Sequence, residues 1–268
     1  MRVHSLNCGS LREVQPPPES GLRALPAVTH CLLIEPDDGG LVLVDSGFGL
    51  GDVAAPERSL GPEFVAWAQP ALDPEETAVR QIRRLGFTAG DVRHIVLTHL
   101  HRDHAGGLPD FPDAAVHVSR AELEAATAGQ GYANRTQWAH GPRWVTYPDA
   151  GGERWEGFDG VHQLDGLPSD VLLVPLRGHT PGHTAVAVKA GDRWLLHAGD
   201  AYYYHGEVQD PPAEAPMLTR ALQEQVETDR TVRLANVDRL RRLAAGGSAD
   251  VTVFCAHDPW EFRRLGVS

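Results

Sequence analysis

The chain has 268 residues, with 24 Lys or Arg, 36 Asp or Glu and a formal net charge of −12. A chain of this length can bury a sizeable core in one or two domains without disulfides or a structural metal. The acidic balance argues against a protein that wraps DNA or RNA, because phosphate neutralisation needs surplus Lys and Arg.

Short apolar runs rich in Val, Ile and Leu predict buried strands, since each run is bounded by Gly, Pro or Asp. In chain order the runs are residues 28–34, 41–44, 94–98, 116–119, 171–176, 184–188, 194–198 and 251–256.

Sequence patterns typical of helix N-termini lie between these predicted strands. Asp73 is a predicted N-cap, with Glu76 completing a capping box and Gly86 ending that helix. Ser119 and Glu122 repeat the capping-box pattern at a second helix.

The second half of the chain contains a longer amphipathic segment. Residues 216–245 space apolar side chains among charges and predict one or two helices that close at Gly246. Segments that are rich in Pro or Gly, or that lack periodicity, predict loops at residues 16–18, 129–159 and 210–212. None of them resembles an interdomain linker. We therefore predict one domain over residues 1–268, with a helical insert at about 211–246.

The cysteines indicate the compartment. Cys8, Cys31 and Cys255 are widely separated and form no CxxC pair, so neither a disulfide framework nor a thiolate zinc site is expected. The first residues lack the apolar segment of a signal peptide, and no run of 18 apolar residues occurs. We expect a cytoplasmic protein without a membrane partner.

A histidine-rich motif follows the strand predicted at residues 94–98. It reads His99-Leu100-His101-Arg102-Asp103-His104 and places four potential metal ligands within six residues. This density is typical of a metal site and not of histidines accumulated by chance. Imidazole and carboxylate suit zinc, iron, manganese or cobalt, and they leave no soft ligand for copper(I).

Further ligand types follow other apolar strands. His179 and His183 come after the strand at 171–176, and Asp200 and His257 each follow a later strand. Asp45 follows the early strand at 41–44 in the same way. Residues far apart in the chain can therefore meet along one edge of a sheet sandwich.

In this combination and order, the motifs resemble the metallo-β-lactamase-fold hydrolase superfamily, nearest to its acyl-homoserine lactonase branch. The resemblance covers essentially the whole chain, including the motif around Asp45. It implies an α+β fold, the four-layer αββα sandwich, whereas the periodicity alone supports an α/β or α+β class.

The resemblance also implies a dinuclear metal site with two divalent ions, zinc being expected and manganese, iron or cobalt being alternatives. Asp200 would bridge the two ions. The remaining ligands would be His99, His101 and His179 for one ion and Asp103, His104 and His257 for the other. His183 and Asp45 are expected to orient the ligands without binding metal. His197, inside an apolar strand, is expected to be a core residue.

The implied enzyme is a metal-dependent hydrolase. Two ions roughly 3.5–4 Å apart share a water and lower its pKa towards about 7, so that a bridging hydroxide attacks a carbonyl. Asp103 would orient that hydroxide or relay its proton to the leaving group. No Ser or Cys nucleophile is required.

A lactone or simple ester is the expected substrate. Tyr203 matches a tyrosine three positions after the bridging Asp that contacts the substrate carbonyl region in the lactonase branch. Packing against neighbouring loops is an equally open interpretation of this aromatic run. Tyr202 and Tyr204 are expected to point to the opposite side. The insert at 211–246 leaves the size and chemistry of the pocket open.

Three alternatives use all or part of this ligand set, and the mono-iron one uses only a subset of it. A glyoxalase-II-like thioesterase lacks support because no C-terminal helical substrate domain is evident, and the net charge of −12 disfavours a phosphodiesterase acting on nucleic acid. A mono-iron persulfide dioxygenase-like oxidoreductase would differ in metal content. We expect a small-molecule substrate and no nucleic acid, with a homodimer left open.

Overall fold

The computed structural model describes residues 1–37, 39–129, 135–246 and 250–265. Within these ranges the strands are β1 (Arg2–Asn7), β2 (Glu13–Val14), β3 (Leu25–Pro26), β4 (His30–Glu35), β5 (Leu41–Val44), β6 (Val92–Val96), β7 (Ala115–Ser119), β8 (Arg143–Tyr147), β9 (Glu153–Trp155), β10 (Phe158–Gln163), β11 (Val171–Pro175), β12 (Thr184–Ala190), β13 (Arg193–His197) and β14 (Val251–Phe254). The α-helices are α1 (Leu50–Ala54), α2 (Pro56–Ser59), α3 (Pro62–Ala68), α4 (Ala78–Arg84), α5 (Arg102–Ala105), α6 (Arg120–Thr127), α7 (Met217–Val226), α8 (Arg230–Ala245) and α9 (Pro259–Leu265).

The longer strands form two six-stranded sheets. The first has the order β1-β4-β5-β6-β7-β8, antiparallel at β1-β4-β5 and parallel from β5 to β8. The second has the order β14-β13-β12-β11-β10-β9 and is antiparallel except for the β13-β14 pair. Each of the apolar runs predicted as strands forms one, which confirms those predictions.

The two sheets pack face to face with helices outside. Alternate side chains of β4 point to opposite faces of the sheet. Leu32 and Ile34 join residues such as Val186 of the second sheet in one buried cluster, while Leu33 packs on the other side with Ile82 of α4. Helix α8 covers the outer face of the second sheet. This layering is the predicted αββα sandwich of an α+β protein.

Residues 129–159 were predicted as a loop, and this prediction is wrong where β8 and β9 form and where β10 begins at Phe158. Residues 130–134 of that segment lie outside the described part of the chain. The segment folds into strands because β8 pairs in parallel with β7 and β9 pairs with β10. Mixed polar and aromatic side chains hid this pairing, since only one residue of β8 is fully buried.

Neither predicted capping box forms. Asp73 does accept a bond from the Glu75 N–H at 2.8 Å, but the Glu76 carboxylate accepts bonds from the backbone and hydroxyl of Ser10 instead. Ser119 caps no N–H of α6, and the carboxylate of Glu122 bonds to distant loops. Both carboxylates take the donors that tertiary packing brings to them, and these donors replace the local pattern.

The amphipathic segment forms α7 and α8, as predicted. The side chain of Asp229 caps α8 by accepting a bond from the Val232 N–H at 3.0 Å, and the helix ends before Gly246. Of the helices in the described ranges, none combines the length and apolar character needed to cross a bilayer.

Candidate metal centre

The carboxyl ends of several strands bring all the predicted ligands together. They form two clusters, and within each cluster the candidate ligand atoms lie within 4.8 Å of one another. One cluster, the three-histidine group, contains His99, His101, His179 and Asp200, and the other, the α5 group, contains Asp103, His104 and His257. The sequence motif supplies the loop after β6 and helix α5, while β11, β13 and β14 deliver the remaining side chains.

Asp200 lies between the two groups. Its Oδ1 atom is 3.2 Å from the Nε2 atoms of both His104 and His257. Its Oδ2 atom is 3.2 Å from Nε2 of His179 and 3.6 Å from Nε2 of His99. Each carboxylate oxygen of one residue therefore faces a different group.

Several atoms at the centre of this arrangement lack a hydrogen-bond partner among the described residues. They include the buried atoms His99 Nε2, His104 Nε2 and Asp200 Oδ1. Buried polar atoms nearly always have a hydrogen-bond partner, so these unpaired atoms require an explanation. Nitrogen and oxygen lone pairs that converge in a buried site are what a divalent cation satisfies. The residues thus fit a metal site.

The electrostatics of the centre also favour a cation. Burial, reinforced by neighbouring imidazoles, holds the pKa of His99 and His101 well below the usual value, and a neutral imidazole is the form that binds metal. Burial alone would raise the pKa of Asp200, but His257, His104 and other imidazoles outweigh it and lower that pKa. The Asp200 carboxylate is therefore held in its charged form among the nitrogen ligands.

Asp45 supports His104 at the end of β5. Its Oδ2 atom accepts a bond from Nδ1 of His104 at 2.8 Å, and its two oxygens accept bonds from the backbone and hydroxyl of Thr98, also at 2.8 Å. With its proton on Nδ1, His104 presents the lone pair of Nε2 towards Asp200. The position of Asp45 is the one expected of a residue that orients a ligand.

His183 uses both ring nitrogens within the fold. Nδ1 donates to the carbonyl of Leu176 at 2.9 Å, and Nε2 accepts from the Asp200 N–H at 2.9 Å. Burial and the neighbouring His179 lower the pKa of His183 to about 3. His183 therefore holds the backbone of Asp200 in place. His197 is likewise a buried core residue, with Nε2 2.6 Å from the carbonyl oxygen of His30.

Tyr203 reaches the centre. Its hydroxyl donates to Oδ2 of Asp200 at 2.9 Å, and its ring lies 5.1 Å from that of His257. Tyr202 and Tyr204 point elsewhere, because the hydroxyl of Tyr202 donates to Glu261 and the ring of Tyr204 packs on Trp260. Of the three tyrosines, Tyr203 is placed to touch a molecule bound at the centre.

Comparison with known proteins agrees with this geometry. The profile of the Metallo-beta-lactamase superfamily matches residues 25–252. The chain belongs to the metallo-β-lactamase superfamily. It is 43% identical to a probable metallo-hydrolase of Mycobacterium tuberculosis, over 97% of this chain and 81% of that protein. It is 32% identical to the N-acyl homoserine lactonase AttM of Agrobacterium fabrum, over 82% and 78% of the two chains.

Solved structures share the metallo-β-lactamase fold with this chain. An N-acyl homoserine lactone hydrolase, solved with N-hexanoyl-L-homoserine bound at its catalytic metal centre, superposes with a TM-score of 0.72. The identity is 22%, and 98% of this chain and 95% of that chain are covered. The resemblance to the superfamily and the predicted fold are both confirmed. The protein is a metal-dependent hydrolase related to N-acyl homoserine lactonases.

The sequence motifs did not reveal every residue that shapes the centre. Glu122 was interpreted as a helix cap, yet its carboxylate joins the loops that carry His99 and His179. Gly178 and Arg233, which connect helix α8 to the same region, also carried no sequence signal. These contacts join residues far apart in the chain, so no local spacing could indicate them.

Proposed function

We propose that this protein opens lactones or simple esters at a dinuclear metal centre. His99, His101 and His179 would hold one ion, Asp103, His104 and His257 the second, and Asp200 both. The placement of one Asp200 oxygen towards each group carries the proposal. When bound, divalent ions supply Lewis acidity and a water of lowered pKa. Zinc is the expected metal, with manganese, iron or cobalt as alternatives.

The side chains divide the remaining tasks. The Tyr203 hydroxyl is already beside Asp200, where it can turn to donate a hydrogen bond to a substrate carbonyl. Asp103 is 8% exposed, and its Oδ2 lies 3.6 Å from Nε2 of His257. This carboxylate is placed to orient the attacking water or to relay its proton to the leaving group. Asp45 and His183 keep His104 and Asp200 in position.

The substrate class is supported by the relatives and by Tyr203. Relatives at 30 to 32% identity are named N-acyl homoserine lactonases, which act on small molecules with a lactone ring. A buried hydroxyl next to the shared carboxylate suits a carbonyl that gains negative charge during ring opening. We therefore place a small lactone ahead of a thioester or a phosphodiester.

Metal analysis and a substrate panel test this proposal. We expect about two divalent ions per chain, hydrolysis of acylated homoserine lactones or simple γ-lactones, and no oxygen consumption. His101→Ala and Asp200→Asn should lose this activity. A fully metallated enzyme that ignores lactones, esters, thioesters and phosphodiesters would contradict the hydrolytic assignment. One iron per chain with oxygen uptake would favour the dioxygenase-like alternative.

Tyr203→Phe tests the substrate contact. We expect kcat/KM on the best lactone to fall by about 10- to 100-fold with metal content unchanged, because one transition-state hydrogen bond is removed. Tyr204→Phe is the matched control, since that ring packs on Trp260. Equal rates for the Tyr203→Phe variant and the wild type would remove Tyr203 from the mechanism.

A further inference from the structure

Glu122 is a fully buried acidic residue in the first turn of α6. Its Oε1 atom accepts a hydrogen bond from the Leu100 N–H at 2.9 Å. Its Oε2 atom accepts bonds from the Thr180 hydroxyl at 2.6 Å and from the Gly182 N–H at 3.1 Å. Hydrogen bonds to a carboxylate are among the strong ones, so this side chain firmly ties the groups that it contacts.

The donors to Glu122 belong to the two loops that carry the three histidines of the three-histidine group. Leu100 stands between His99 and His101, and Thr180 directly follows His179. The first loop leaves β6 of one sheet, and the second leaves β11 of the other. One carboxylate therefore joins ligand loops that come from opposite sheets.

The second loop also rests directly on the backbone of α6. A Cβ atom added to Gly182 would lie 2.1 Å from the backbone nitrogen of Glu122. The glycine thus lets the loop approach the helix closely enough for the Glu122 carboxylate to reach both Thr180 and the Gly182 N–H. Gly182 of the loop and Glu122 of α6 therefore both contribute to this contact.

The α5 group has supports of its own. Asp45 orients His104, and the carbonyl of Val28 accepts a bond from Nδ1 of His257 at 2.8 Å. None of the Glu122 bonds described above reaches a residue adjacent to these two histidines. A change at Glu122 should therefore act unequally on the two halves of the centre.

We propose that Glu122 is a positioning residue that holds His99, His101 and His179 at metal-binding distance. This inference rests on the proposed dinuclear centre. In Glu122→Gln, an NH₂ group replaces one of the two oxygens. This group would face either the Leu100 N–H or the Thr180 and Gly182 donors, and since two donors cannot bond to each other, at least one hydrogen bond is lost. Loosening ligand support typically weakens metal binding by about 10- to 100-fold.

The experiment is a Co²⁺ titration of the metal-free full-length protein, followed by absorbance in competition with a chelator. In Glu122→Gln we expect one of two binding steps to weaken by about 10-fold or more and the other to change little. Asp45→Asn, which acts on His104, should weaken the opposite step. The control is Glu124→Gln, an exposed position on the same helix with the same change of charge. It should titrate like the wild type.

Each outcome decides the proposal. The proposal is overturned if Glu122→Gln binds Co²⁺ like the wild type, or if both binding steps weaken equally in this variant. If that variant fails to fold by circular dichroism, the pair Thr180→Val and Thr180→Ser decides, because only serine keeps the hydroxyl that donates to Glu122. Weakening in the valine variant alone supports the proposal, and equal titration of the pair overturns it. A wild-type protein that binds fewer than two ions contradicts the proposed function itself.

Discussion

Asp45 combines an unusual backbone conformation with three hydrogen bonds. Its φ of 54° lies in the left-handed region, which Asp and Asn tolerate better than other side chains that carry a Cβ. In this conformation the carboxylate accepts bonds from Thr98 and His104 together. Such a conformation persists when the surroundings offset its cost, and here the fixed orientation of His104 is the gain.

Asp45→Asn isolates this contribution, because asparagine tolerates the same backbone conformation. The amide can still accept the Thr98 N–H, but its NH₂ group then faces Nδ1 of His104. We expect metal affinity at one site to fall by about 10- to 100-fold, measured by chelator competition, with the fold retained by circular dichroism. Asp192→Asn, at an exposed position, should bind like the wild type. Unchanged affinity in Asp45→Asn would show that His104 needs no such support.

The strands show which elements a sequence pattern can reveal. Apolar runs predicted β4–β7 and β11–β14 because parallel or central strands are buried on both faces. The apolar runs did not indicate β1, β8 and β9, which lie at the edges of the two sheets, or the two-residue strands β2 and β3. They also did not indicate β10, which pairs with β9 and in which exposed residues interrupt the buried ones. Edge strands carry mixed polar side chains, and their pairing depends on a neighbour that no local pattern specifies.

Helix α8 and the residues just before it contact both loops that approach Asp200. The N–H groups of Thr228 and Asp229 donate to the carbonyl of Gly178 at 3.0 and 2.8 Å, beside His179. Arg233 donates to the carbonyl of Ala201 at 3.1 Å, one residue after Asp200. The amphipathic pattern predicted these helices, whereas their role in supporting the centre depends on tertiary contacts.

Gly178→Ala tests this contact. Gly178 has a φ of 124°, and an added Cβ would lie 2.3 Å from the backbone nitrogen of Arg233. Helix α8 or the His179 loop must therefore move, and we expect a loss of about 2–3 kcal/mol in unfolding free energy together with weaker metal binding. Urea unfolding and metal titration measure these effects. Gly51→Ala, where nothing lies within 4 Å, is the control. Unchanged stability and metal binding in Gly178→Ala would mean that helix α8 can shift without cost.

At the scale of the whole molecule, the centre joins elements from both sheets. The compact motif from His99 to His104 made a metal site predictable from spacing alone. The partners His179, Asp200 and His257 were assigned by resemblance, and their convergence depends on how β11, β13 and β14 end at one edge. The direction of each Asp200 oxygen could not be predicted, because it follows from side-chain packing across the sandwich.

Metal binding at such a junction should stabilise the entire fold. At a free metal concentration about a thousand times Kd, each ion adds about 4 kcal/mol, and a chain of this size gains roughly 2–4 °C in Tm per kcal/mol. We therefore expect a chelator to lower Tm by at least about 10 °C in calorimetry, and zinc to restore it. The Asp200→Asn variant should respond much less.

The difference in Tm between the metal-bound and the chelator-treated protein should become smaller as the pH falls. Burial opposes protonation of His104 and His257, but nearby carboxylates, Asp200 first, outweigh it and raise the pKa of both in the metal-free protein. A raised folded-state pKa means that protons stabilise the metal-free fold at low pH and compete there with metal, which requires neutral imidazole. Calorimetry with and without chelator across neutral to mildly acidic pH measures this. If neither chelator nor zinc changes the Tm at any pH, the stability of the native fold does not depend on metal.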